Sequence, residues 1–147
     1  MSSKWHSRFI HLAKEVSLWS KDPNTKVGSI IVGTKGQILA QGYNGFPRNI
    51  VDSDERLNDR ETKYKYVVHA EMNAIFNASY SGTSLDGATI YVYGLPICHE
   101  CAKGIIQVGI KTVVIEKQRE GIKENWKISC DFAVEMLREA GVEVYEV

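Results

Sequence analysis

Large apolar residues recur at Trp5, Phe9, Leu12, Val16 and Trp19 in steps of four, three, four and three, which predicts one stripe on a helix over 5–19. The segment Ser20-Lys21-Asp22-Pro23-Asn24 breaks that pattern. Val27 to Val32 then reads as a buried strand. A Thr34-Lys35-Gly36 turn and a second strand around Ile38 to Gln41 complete a hairpin. From Gly42 to Val68, about 27 residues show little periodicity and carry a charged middle (Asp52, Asp54, Glu55, Arg56, Asp59, Arg60, Glu61), the signature of a functional or disordered loop. Beyond it the pattern predicts a helix from His69 to Tyr80, a strand from Ala88 to Tyr93, a helix from Cys98 to Val108 and a strand from Thr112 to Glu116. A last helix near Ser129 to Ala140, with Phe132, Met136 and Leu137 inward, stops at Gly141 before a strand from Val142 to Tyr145.

The order αββαβαβαβ alternates strands with helices in its second half. That alternation calls for crossover connections, so the expected class is α/β, a sheet with parallel members and helices on both faces. The chain has 147 residues, no internal repeat and no linker, so one domain over 1–147 is expected. Hydrophobic residues make up 44%, and 18 basic side chains balance 18 acidic ones, which argues against a nucleic-acid partner and for a small-molecule one. The polar start of the chain lacks the apolar run of a secretory signal, and no stretch approaches the roughly 18 apolar residues of a membrane span. A cytoplasmic protein without a membrane partner is expected.

Chemistry concentrates in His69-Ala70-Glu71 and Pro96-Ile97-Cys98-His99-Glu100-Cys101. One imidazole and two thiolates make three zinc ligands and leave the fourth tetrahedral position to water, the arrangement of a catalytic site. Residues two apart do not share a face inside a helix, so His69 and Glu71 can converge only where the chain enters one. Cys98 and Cys101, three apart, share the opening turn of the next helix, where free N–H groups favour thiolate. Glu71, beside the metal but not bound to it, then moves protons in a hydrolytic deamination. Two other readings of the same residues stay open: a redox-active C-x-x-C, and a structural zinc with His99 as fourth ligand. Cys130 reads only as a buried thiol.

The chain resembles the cytidine deaminase superfamily and, within it, the deoxycytidylate (dCMP) deaminases. The resemblance rests on the blocks from Ser20 to Gly28, Gly42 to Pro47, Lys63 to Ile75 and Cys101 to Gln107. It implies a three-layer α/β/α fold around a five-stranded mixed sheet. It also implies zinc on His69, Cys98 and Cys101, with Glu71 shuttling protons as dCMP becomes dUMP, the precursor for dTMP synthesis. Asn44 would bond the deoxyribose, and Lys26 and Tyr66 would contact phosphate and base. Many members are homohexamers regulated by dCTP and dTTP, which implies an effector with Mg2+ near Tyr43, Gly45 and Arg48; Arg56 and Arg60 are further candidates for its phosphates. One departure is Ile97, inserted between Pro96 and Cys98 where the family turn has none. The alternatives are a related substrate, such as dCTP or a 5-substituted dCMP, and a non-catalytic nucleotide-binding module.

Overall fold

The computed structural model describes residues 2–117 and 122–147. Helix α1 (Ser3–Ser17) leads into strands β1 (Gly28–Val32) and β2 (Ile38–Tyr43). Two short helices follow, α2 (Asp54–Asn58) and α3 (Arg60–Tyr66), then α4 (Ala70–Tyr80), β3 (Thr89–Tyr93), α5 (His99–Gln107), β4 (Thr112–Ile115), α6 (Glu124–Glu139) and β5 (Glu143–Glu146). The sheet order is β2-β1-β3-β4-β5, with β1 antiparallel to both neighbours and β3, β4 and β5 mutually parallel. The expected five-stranded mixed sheet is present.

Each central strand is buried on both faces because its alternate side chains meet different helices. Ile30, Val32, Tyr91 and Val114 pack with Phe9, Ile10, Ala13 and Val16 of α1. Ile31, Ile90, Val92 and Val113 face the opposite cluster, which takes Ala74, Ala78, Ile105 and Leu137 from α4, α5 and α6. Three layers result.

The structure corrects several boundaries. The buried face of α1 is Phe9, Ile10, Ala13, Val16 and Ser17, while Trp5 (44% exposed) and Trp19 (54%) lie outside it. Arg8 covers the Trp5 ring, and Trp19, beyond the helix end, meets Tyr43 edge-on. The stretch read as a long loop contains α2 and α3. Their single buried residues, Leu57 and Lys63, are too few to draw a stripe, and Ser53 caps α2 locally by accepting from the Arg56 N–H. The last helix begins at Glu124, five residues before the expected Ser129. Its inward line is Cys130, Ala133 and Leu137, which turns Phe132 to solvent at 60% exposure and leaves Met136 half-buried.

Two glycines set how closely helices lie on the sheet. A Cβ at Gly28 would stand 2.0 Å from the Ala13 carbonyl oxygen in α1, and one at Gly42 would stand 2.3 Å from the Ala74 nitrogen in α4. Backbone cannot yield as a side-chain tip can. Gly42→Ala is therefore expected to lower stability by about 1–3 kcal/mol through overpacking. A urea unfolding curve with a reduced midpoint and unaltered slope would show it; an unchanged midpoint would show that α4 does not rest on this contact.

Candidate active site

Helix α4 is pinned at its start. Ser29 Oγ in β1 donates to the Ala70 carbonyl (2.8 Å), and Asn73 Nδ2 donates to the Tyr43 carbonyl (2.8 Å) at the end of β2. His69 is the N-cap residue, in extended conformation, and its side chain makes no capping bond. The imidazole is thus free to turn away from its own helix, as the spacing of His69 and Glu71 required. Cys98 is the N-cap of α5, and its Sγ accepts the Cys101 N–H at 3.4 Å.

These two helix starts bring three donor atoms together. His69 Nδ1 lies 3.3 Å from Cys101 Sγ and 3.5 Å from Cys98 Sγ, and all three donors fall within 4.8 Å of one another. A tetrahedral zinc with bonds of about 2.0 Å to nitrogen and 2.3 Å to sulfur sets neighbouring N and S about 3.5 Å apart, so the group fits that ion. His99 is not part of it. Its Nδ1 and backbone N–H meet Ser129 Oγ at 2.7 and 3.1 Å, and its Nε2 faces Glu100 at 3.4 Å, which excludes the four-ligand structural reading. Ile97 is buried in the main core at 4% exposure, so the inserted residue is absorbed by packing while Cys98 keeps its capping position.

Burial and proximity shape the ionisation of the cluster. The Cys98 thiol is pushed down to about 4, chiefly by the hydrogen bond from Cys101, with His69 adding to the effect against the cost of burial. Cys101 moves up for the complementary reason, since it holds the proton offered to the Cys98 thiolate. His69 is raised by its bond with Cys98, and burial opposes this. Glu71, 4% exposed, is raised above the usual carboxylate value by desolvation, partly offset by His69.

The cluster opens into a cavity of about 440 Å³, within the range of small-molecule sites. Val27, Ala70 and Val92 line its apolar part, with His69 and Glu71 beside them. Asn44 also lines it; its Oδ1 accepts the Val27 N–H and its Nδ2 donates to the Thr25 carbonyl, both at 2.9 Å. That leaves one amide hydrogen for a ligand. Lys26 and Tyr66 are not brought to the cavity. The Lys26 amine donates to the Ser20 carbonyl, and Tyr66 packs against Phe46 with Arg56 over its ring. Tyr43 and Gly45 line a second cavity of about 140 Å³, whereas Arg48 lies apart, donating to Asn77 Oδ1 and covering Tyr80. Arg56 donates to the Val51 carbonyl and Arg60 covers Tyr64.

Sequence reasoning missed several lining residues, among them Asp22, Lys63, Lys117, Lys123 and Trp126. Trp126 stands with its ring centroid 6.0 Å from that of His69. Asp22 was visible as part of a helix-breaking segment and of the Ser20–Gly28 block, with no role given to it. It pairs with Lys63 at 3.3 Å, their side chains 9% and 10% exposed, and the same Oδ1 accepts the Asn24 and Thr25 N–H groups. The pair lies in the walls of both cavities. Asp22→Ala leaves a buried ammonium alone and is expected to cost about 3–5 kcal/mol in chemical denaturation. Adding Lys63→Met should restore part of that loss, and full additivity of the two losses would refute the pairing.

Residues 3–117 match the family model described as the cytidine and deoxycytidylate deaminase zinc-binding region. An uncharacterized deaminase encoded in the luxG 3′ region of Aliivibrio fischeri is 40% identical over 98% of this chain and 94% of that protein. Human deoxycytidylate deaminase is 43% identical over 76% of this chain, and the alignment covers 64% of the human protein. A solved dCMP deaminase from the cyanophage S-TIM5, in complex with dCMP and dUMP, superposes with a TM-score of 0.79 over 100% of this chain and 99% of that one, at 27% identity. With its zinc-type donor set, buried Glu71 and matched region, the chain belongs to the cytidine and deoxycytidylate deaminase family.

Proposed function

We propose that this chain deaminates dCMP hydrolytically, dCMP and water giving dUMP and ammonia, with His69, Cys98 and Cys101 as zinc ligands and Glu71 as proton carrier. The observation that carries the reading is Glu71 itself. A carboxyl buried at 4% exposure beside an open three-donor metal site has no use in a structural zinc centre. The dCMP deaminases among the similar proteins supply the substrate.

Zinc, when bound, supplies Lewis acidity that brings the pKa of a water towards about 7. The carboxylate of Glu71 accepts a proton from the attacking water and delivers it to N3 of the cytosine as C4 becomes tetrahedral. It then carries the second proton to the departing amino group, so that ammonia leaves and the C4 carbonyl of dUMP forms. Burial favours this double duty, because a raised carboxyl pKa lies closer to those of the groups between which it moves protons. Val27, Val92 and Trp126 wall the space for the base, and the remaining Asn44 amide hydrogen points the sugar.

Regulation by dCTP and dTTP, with Mg2+, belongs to the same reading but requires more than one copy of the chain. The cavity at Tyr43 and Gly45, about 140 Å³, is smaller than the roughly 300 Å³ from which ligand pockets start, so a neighbouring subunit would have to complete a triphosphate site. Exposed Phe76 and Tyr80, four apart on α4, provide apolar surface for the proposed homohexamer.

On zinc-quantified protein, dCMP is expected to be turned over faster than deoxycytidine, CMP, dCTP or 5-methyl-dCMP, followed by loss of cytosine absorbance. Dominance of another of these would keep the chemistry and overturn the substrate. Glu71→Gln should reduce turnover by about 100-fold or more while zinc content and thermal melting persist. Cys101→Ser should lose zinc and activity together, and a Glu71→Gln protein with undiminished turnover would refute the proton-carrier role.

A further inference from the structure

Three lysines line the main cavity, and they are not equivalent. Lys63 is buried and committed to Asp22. Lys117 and Lys123 are exposed, and neither makes an ion pair among the described residues. Of the acidic groups among the described lining residues, Asp22 is neutralised by Lys63, Glu71 sits buried next to the metal donors, and Glu116 is not without an interaction. Among the described lining residues, the cations outside any ion pair are therefore Lys117 and Lys123.

We propose that Lys117 and Lys123 bind the 5′-phosphate of the substrate and so make the cavity select a nucleoside monophosphate over the free nucleoside. This rests on the deaminase reading above. Lys123 is the extended N-cap residue of α6, Trp126 lies in the helix's first turn, and both line the cavity. Trp126 stands at the His69 end, where the base would react, while Lys123 is exposed. Lys117, the second residue after β4, lines the cavity as well. Exposed ammonium groups suit a dianionic phosphate that keeps part of its hydration, since neither partner is fully desolvated. Lys26, the cation suggested by resemblance, is engaged by the Ser20 carbonyl and does not line the cavity. Lys123 and Trp126 also lie beyond residues 3–117, so this half of the site is outside the matched family region.

The test is steady-state kinetics of zinc-loaded wild type, Lys117→Ala, Lys123→Ala, the double variant and Lys26→Ala, with dCMP and deoxycytidine as paired substrates. The double variant is expected to raise the dCMP KM by about ten-fold or more, with kcat changed little, because two charge-assisted contacts to a phosphate are lost. Its kcat/KM for deoxycytidine and its thermal melt should stay at the wild-type values. An unaltered preference for dCMP over deoxycytidine in the double variant would overturn the proposal, as would a KM effect confined to Lys26→Ala. If wild type turns over neither substrate, the deaminase reading itself fails. Calorimetric titration with dCMP then decides the anion site: binding lost in the double variant upholds it, and equal binding refutes it.

Discussion

A carboxyl group held out of water beside an imidazole and two thiols is the constraint around which this molecule is built. Glu71 can be buried only if the chain enters α4 at the right place, with His69 still extended and Glu71 already in the first turn. That entry is secured from the sheet, by Ser29 on β1, by the Tyr43 carbonyl on β2, and by the missing side chain of Gly42. The second helix start is secured from the opposite side. His99 is tied to Ser129 on α6, which holds the opening of α5 and with it Cys98 and Cys101. Neither anchor belongs to a metal ligand, yet without them the three donors would not meet.

The parts of this arrangement that are local in sequence were legible there. A His-x-Glu cannot converge inside a helix, and a Cys-x-x-Cys can do so at one, so both helix starts followed from side-chain geometry alone. Strands β1, β3 and β4 followed from continuous apolar runs, because strands buried on both faces leave little room for alternation, and the α/β layering followed from the alternation of strands with helices. Helices α2 and α3 were hidden for the converse reason. They are short, polar and held by Ser53 and by the pairing of Lys63 with Asp22, 41 positions away, and no periodicity records a partner at that distance. The same limit explains Phe132: shifting the start of α6 to Glu124 does not alter its angle, but the neighbours Cys130, Ala133 and Leu137 define a different buried line.

A division of labour follows from where the cavity walls come from. The three metal-type donors and Glu71 are held at the starts of α4 and α5, within the segment that matches the family model. The recognition end draws on the loop before β1, on α3, and on residues at and beyond the end of β4. Reaction chemistry demands fixed distances of a few tenths of an ångström among buried groups, so it sits on elements that the sheet holds rigidly. Substrate choice asks for less, a charge of the right sign at the rim or a flat side chain along one wall, and exposed segments can supply that.

The Asp22–Lys63 pair is the joint between those two halves. Asp22 organises the turn whose Thr25 carbonyl holds the Asn44 amide, and Lys63 carries α3 against that turn. A buried ion pair contributes little net stability against its desolvation cost, whereas it defines one geometry sharply because either charge alone is intolerable there. Asp22, Asn44, Lys63 and Val67 line both cavities, so the two share this wall. A hydrophobic pair of equal volume would fill the space without fixing the direction of Asn44. The retention of charge at that point is therefore better understood as control of a ligand-facing amide than as reinforcement of the fold.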